Sequence, residues 1–207
     1  MNLPPGFTTQ LPKLLHADDR LVVVDKPAGM LSVPGRTEPD CASARVQTLY
    51  PDALIVHRLD QGTSGLLLFA RGPQAQRELS ADFAERRVGK LYVAVVSGRL
   101  EGEGFIDQPV GADWPNRPRQ QVDLERGKPS QTRWRVLAHE GSHTRVALEP
   151  LTGRSHQLRV HLAHIGHAIL GDTLYASPEV AAASPRLLLH ASELHVAGHH
   201  FICPPEF

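Results

Sequence analysis

The chain has 207 residues, 41% of them hydrophobic and 21% charged, which supplies a real core and excludes disordered and fibrous classes. Its 22 basic and 22 acidic side chains cancel, so no bulk positive excess marks a nucleic-acid binder, and any basic character has to be local. No apolar run is long enough to cross a membrane and no leader pattern opens the chain, so the cytoplasm is the expected location; Cys41 and Cys203 match no metal or disulfide spacing.

Residues 1–13 read as an N-terminal arm rich in Pro, Gly and Thr, and 14–207 as one α+β domain without an interdomain linker. Leu14–His16 and Leu21–Asp25 are expected strands joined by the turn residues Asp18 and Asp19. Lys26-Pro27-Ala28-Gly29 breaks the pattern, and Met30–Val33 resumes extended structure. Asp40 is placed to cap a short helix reaching Leu49, with Val46 and Leu49 inward. Leu54–Val56 and the continuous apolar run Leu66–Ala70 read as buried strands, which puts Asp60 on their connection.

Pro73 suits a first helical turn, and Ala75, Leu79 and Phe83 give 73–87 an apolar face. Lys90–Ser97 alternates as a strand, and Gly98–Gly104 is a polar connection without phosphate-loop spacing. Residues 109–129, with several prolines and arginines, form a long irregular loop of the functional kind. Thr132–Ala138 and Thr144–Leu148 are strands split at Glu140-Gly141. Ser155 is expected to cap a helix to about Ile165, residues 176–185 are loop, and Arg186–Val196 holds one or two strands. Many strands and few helices, in irregular alternation, indicate α+β with a mixed, mostly antiparallel sheet.

Three groups of residues bear chemistry. The stretch His57-Arg58-Leu59-Asp60-Gln61-Gly62-Thr63-Ser64-Gly65-Leu66 sets a carboxylate between rigid flanks, with arginines at Arg58 and, further on, Arg154. An aspartate beside an arginine stays ionised even when partly buried, though a lone aspartate at a strand end is as readily a turn former. The order His-Arg-Leu-Asp differs from a kinase catalytic loop, and no second acid of a glycosidase pair stands out. Lys90 and Tyr92 share one strand face, a cation and a ring of the kind that grips phosphate and stacks on a base; Trp114 repeats the combination beside Arg117. The histidines at 156, 161, 164 and 167 lack a zinc-hydrolase pattern and read as hydrogen-bonding or surface groups, so no metal is expected. Further basic clusters lie at Arg86-Arg87-Lys90, at Arg117, Arg119, Arg126 and Lys128, and at Arg154 and Arg159.

Taken in chain order, five stretches resemble the motifs of the RluA family of RNA pseudouridine synthases. They are Asp25–Gly29, His57–Leu66, Lys90–Val95, Thr152–His161 and Leu188–Ala191. The loop Asp113-Trp114-Pro115-Asn116-Arg117-Pro118 is similar to that of the family branch acting on both ribosomal and transfer RNA. The chain starts almost at the catalytic domain, leaving no room for the S4 domain of many relatives.

The resemblance implies the pseudouridine synthase fold with an RNA-binding cleft, and isomerisation of uridine to its C-glycoside without a cofactor. It implies Asp60 as the essential carboxylate, acting on sugar, on base or as a proton acceptor. Arg154 becomes its ion-pair partner, and Tyr92 the ring over the target uracil. Arg58 fills the space of a flipped base, with Leu188 or Leu189 as pocket wall and Lys26, Lys90 and Arg117 as further substrate contacts. The implied partners are a tRNA anticodon stem-loop and a hairpin of 23S ribosomal RNA, met by a monomer. The competing reading is an RNA-binding protein of the same fold that has lost catalysis.

Overall fold

A computed structural model describes residues 12–207; residues 1–11 of the expected arm lie outside the described residues. The chain divides into two compact units. One comprises the described residues up to Gly89 with Glu193–Pro204, the other Lys90–Ser192 with Pro205–Phe207.

In the first unit, β1 (Lys13–Ala17) and β2 (Leu21–Lys26) form an antiparallel hairpin, so Lys13 belongs to a strand rather than to the arm. Asp18 closes the turn by accepting from the backbone N–H of Arg20 (2.7 Å) and Leu21 (2.8 Å). α1 (Ala42–Leu49) follows an irregular stretch, because Met30–Val33 forms no strand. Its first residues reach back to that stretch: Ala42 N–H donates to Leu31 O and Ser43 N–H to Ser32 O. The cap is Cys41, whose Sγ accepts from Ala44 N–H; Asp40 is instead engaged by Arg45. Val46 is buried as expected, but Leu49 is 58% exposed.

β3 (Ala53–Ile55) and β2 both pair antiparallel with β4 (Ser64–Arg71). Leu66 to Ala70 are at most 1% exposed, which is why the apolar run is unbroken: both faces of this strand are covered. α2 (Gly72–Ala84) has Pro73 in its first turn and buries Ala75 and Leu79. It ends three residues earlier than expected, where Glu85 and Arg86 turn out of the helix, Arg86 at φ 61°.

In the second unit, β5 (Gly89–Ser97), β6 (Glu103–Asp107), β9 (Gln131–Glu140) and β10 (His143–Pro150) belong to a sheet in which β10 lies between β5 and β9, and β9 pairs with β6. β5 does not alternate: Val93 through Val96 are all buried. β6 is an edge strand unforeseen from sequence. The expected irregular loop contains a small hairpin, β7 (Val110–Ala112) with β8 (Gln120–Val122), and one 3-10 turn at Trp114–Asn116.

α3 (Gln157–His164) starts after His156, which sits in the left-handed region at φ 56°; Ser155 makes no cap. A short helix, α4 (Pro178–Ala182), is capped by Ser177 within the expected 176–185 loop. β11 (Leu189–Val196) begins in this unit and ends in the first, where its last residues pair with β12 (His199–Ile202). The core of the second unit gathers Ala94, Val96, Val146, Leu148, Leu162 and Ile169, each completely shielded from solvent. The mostly antiparallel sheet with few helices is the α+β class that the strand count indicated.

Candidate active site

Asp60 lies on the connection between β3 and β4, and buried groups hold this connection at three points. Leu59 is 6% exposed and its backbone is gripped from both sides by Ser32: Oγ donates to Leu59 O (2.7 Å) and accepts from Leu59 N–H (3.0 Å). At Gln61, the backbone oxygen accepts from Gly29 N–H (2.8 Å) and from Lys26 Nζ (3.2 Å). At His57, Nε2 accepts from Leu68 N–H (3.0 Å), and the ring stacks on Phe83 of α2 with centroids 4.6 Å apart. Thr63 N–H closes the turn by donating to Asp60 O (3.1 Å). Between these anchors Arg58 is exposed and Asp60 half-buried. A loop so tied holds its carboxylate with little freedom to lose when substrate arrives.

Lys26 departs from its expected role as a substrate contact. Its side chain is fully buried, and Nζ donates to the carbonyls of Pro27 (2.9 Å) and Met30 (2.7 Å) as well as Gln61. Burial lowers its pKa to about 8, against the opposing attraction of the Asp60 and Asp25 carboxylates. Lys26 therefore organises the Asp60 connection and puts a buried positive charge in the field of that carboxylate.

Arg154 lies in the second unit, on the turn between β10 and α3. The anchor of this turn is Gln157, 3% exposed. Its Oε1 accepts from Thr152 Oγ1 (2.7 Å) and from Arg154 N–H (3.1 Å), while Nε2 donates to Gln131 O and Thr132 Oγ1, both at 3.0 Å. Arg154 is half-buried, and its Nε donates to Pro129 O (3.4 Å). Tyr92 stands opposite Leu148 in the β5–β10 pairing and packs partly buried on the core; Lys90, two residues earlier, is half-buried as well. Of the two candidate wall residues, Leu189 belongs to the core at 3% exposure, whereas Leu188 is only partly buried and its backbone bridges Val95 and Leu170. Asp60, Arg58 and Lys26 thus share the first unit; Tyr92, Lys90, Arg154, Arg117, Leu188 and Leu189 share the second.

The basic clusters separate on inspection. Arg159 is not a surface group: it forms a buried bidentate pair with Asp172 at 2.7 and 2.8 Å. Arg87 is engaged by Asp82 and Glu85. Arg117 remains outward, its guanidinium 3.6 Å from the ring centre of Trp114, itself 68% exposed. His156 bonds Tyr175 (2.6 Å), buried His161 bonds Thr132 and Gln108 O (both 2.9 Å), and His167 bonds Ser97 O (2.8 Å). These histidines serve as hydrogen-bonding groups. Sequence reasoning passed over Ser32, Gln157 and Asp172. The one available signal was a polar residue set between apolar ones, as with Ser32 between Leu31 and Val33.

A rigidly tied, half-buried aspartate on a strand connection of an α+β fold suits a chemically active carboxylate in an enzyme. Comparison with known proteins supplies the class: residues 20–164 match the family model described as RNA pseudouridylate synthase, and the chain belongs to that family of RNA-modifying isomerases. It is 52% identical over 187 residues to the dual-specificity RNA pseudouridine synthase RluA of Escherichia coli K12, covering 88% of this chain and 85% of that one. The Yersinia pestis protein of the same name is 48% identical over 198 residues, 94% of this chain and 96% of the other. Among solved structures, human RNA pseudouridylate synthase domain containing 1 superposes with a TM-score of 0.84 at 28% identity, over 99% of this chain and 87% of that one. The chain is accordingly an isomerase that forms pseudouridine in RNA.

Proposed function

We propose that this isomerase modifies uridines in the anticodon stem-loop of transfer RNA and in a hairpin of 23S ribosomal RNA, with Asp60 as the catalytic carboxylate. The rigidly tied connection that holds Asp60 half-exposed is the observation that carries the assignment. The 52% identity to a dual-specificity synthase supports the pair of targets. The reaction breaks the C1′–N1 bond and forms C1′–C5; C5 loses its proton and N1 gains one. Atoms and electrons balance within the nucleotide and water, so the chemistry needs no redox cofactor. The protein works as a monomer in the cytoplasm.

In this reading Tyr92 stacks on the target uracil, Arg154 is the ion-pair partner of the carboxylate, and Leu188 walls the apolar side. Leu189 supports that wall from the core. Arg58, exposed beside the clamped Leu59, fills the space left when the base leaves the stack. Unstacking costs a few kcal/mol, which this side chain offsets. Lys90 and Arg117 contact phosphates, which set position rather than sequence.

Asp60→Ala tests the assignment. RNA carrying uridine tritiated at C5 releases tritium as the new bond forms. The variant should lose at least about a thousandfold in rate while still retaining RNA. An unchanged rate would end the assignment of Asp60 and leave a binding protein or a different base. Arg58→Ala should lower kcat/KM on a stem-loop by about tenfold or more, and much less on a short unpaired strand. Equal losses on both substrates would remove the flipping role. Mapping pseudouridine in total RNA with and without the gene identifies the targets.

A further inference from the structure

The hairpin of β11 and β12 carries a side-chain cluster that the reaction does not use. His195 and His200 face each other directly across the two strands, and Glu193 lies two residues before His195, on the same face. The imidazoles stack with centroids 3.7 Å apart and planes 15° from parallel. Glu193 Oε2 stands 3.0 Å from His200 Nε2 and 3.7 Å from His195 Nε2. One donor atom from each of the three side chains lies within 4.8 Å of the other two. Both histidines are exposed, and Glu193 is half-buried.

We propose that Glu193, His195 and His200 form a surface site for one divalent transition-metal ion of the zinc, nickel or copper kind. Two donors bound tetrahedrally to zinc, each roughly 2.0–2.1 Å from the ion, stand about 3.3–3.4 Å apart. The Glu193–histidine separations of 3.0 and 3.7 Å bracket that spacing, and the two exposed rings, now stacked, rotate apart so that both Nε2 lone pairs converge on the ion. Two imidazoles and one carboxylate suit borderline metals, whereas magnesium and calcium prefer all-oxygen shells.

The hairpin register fixes the ligand backbones, so little ordering remains to be done on binding. Gly89 contributes by having no side chain: a Cβ there would stand 3.2 Å from His195 Cβ and 3.4 Å from its Cδ2. When the ion enters, it replaces the hydrogen that joins His200 Nε2 to Glu193, and the imidazole carries its proton on Nδ1. The remaining coordination positions face solvent.

Calorimetric titration of the full chain with zinc chloride tests the site, with the double variant His195→Ala/His200→Ala and with His164→Ala as a control at an exposed histidine elsewhere. The native chain and the control should take up one equivalent that the double variant loses, with affinity lowered at least about tenfold. Cobalt should give visible bands with the native chain and not with the double variant. Glu193→Gln, which keeps shape and removes charge, should weaken zinc while leaving tritium release from uridine RNA unchanged. Failure of the native chain to bind zinc, or equal binding by native and double variant at matched far-ultraviolet circular dichroism, would overturn the proposal. Neither outcome bears on Asp60.

Discussion

The connection bearing Asp60 and the turn bearing Arg154 solve one problem with different materials. Each holds a half-buried charged side chain on a short irregular segment, and each is tied from beneath by a buried polar group. Under Asp60 the tie is a lysine ammonium, helped by the hydroxyl of Ser32. Under Arg154 it is the neutral amide of Gln157. The choice follows the sign of the charge above. A buried cation attracts a carboxylate; beneath a guanidinium it would repel, so a neutral group serves there. Anchoring and electrostatics are carried by one residue in the first case and separated in the second.

Lys26→Met should break this contrast most strongly. Three carbonyls lose their donor and Asp60 loses a positive neighbour, so stability should fall by about 3 kcal/mol in denaturant titrations near neutral pH. The native chain adds a pH signature. The folded pKa of Lys26 is about 8 and its ordinary value 10.5, so between them the unfolded chain holds a proton that the folded chain has released. Stability therefore rises with pH across that window, by on the order of 2 kcal/mol between pH 8 and about 9.5 from this group. Denaturation of native and Lys26→Met chains at both pH values checks it, and a difference that does not change with pH would mean that Lys26 ionises as it does in water.

Gln157→Leu should cost less, about 2 kcal/mol, since a neutral group is removed and the partners left behind are also neutral. Its activity loss should appear chiefly in kcat, through misplacement of Arg154, and the variant should keep the rise of stability with pH that Lys26 gives the native chain. Ser32→Ala is the mildest, about 1 kcal/mol, because Leu59 keeps its burial and loses only the hydroxyl clamp. A larger effect at Ser32 than at Lys26, read from the same melts, would reverse the roles assigned to the two ties.

Much of this arrangement was legible in the residues. Leu66–Ala70 could hardly be anything but a covered strand, and Pro73 with Ala75 and Leu79 marked its helix. Turn residues located the β1–β2 hairpin at Asp18-Asp19 and the β9–β10 hairpin at Glu140-Gly141. What escaped was structure made by pairing rather than by pattern. β6 and β12 lie among glycines or histidines and are strands because a neighbour offers hydrogen bonds. α4 is one helical turn whose capping serine was visible but whose length was too short to declare it. The charged residues misled in a consistent way: Lys26 and Arg159 look like surface cations in sequence, yet three carbonyls enclose one and Asp172 the other. Burial of a charge depends on partners up to 35 positions away, which no local window contains.

Trp114 gives the molecule an optical handle. The chain has two tryptophans. Trp134 is half-buried in β9, whereas Trp114 is 68% exposed with Arg117 lying on its ring. With Trp134 replaced by Phe, the remaining emission would come from a single water-exposed indole beside a cation, red-shifted and open to quenchers. Any nucleobase that displaced the guanidinium would dim it, so a fluorimeter could time the arrival of RNA at this loop without a label.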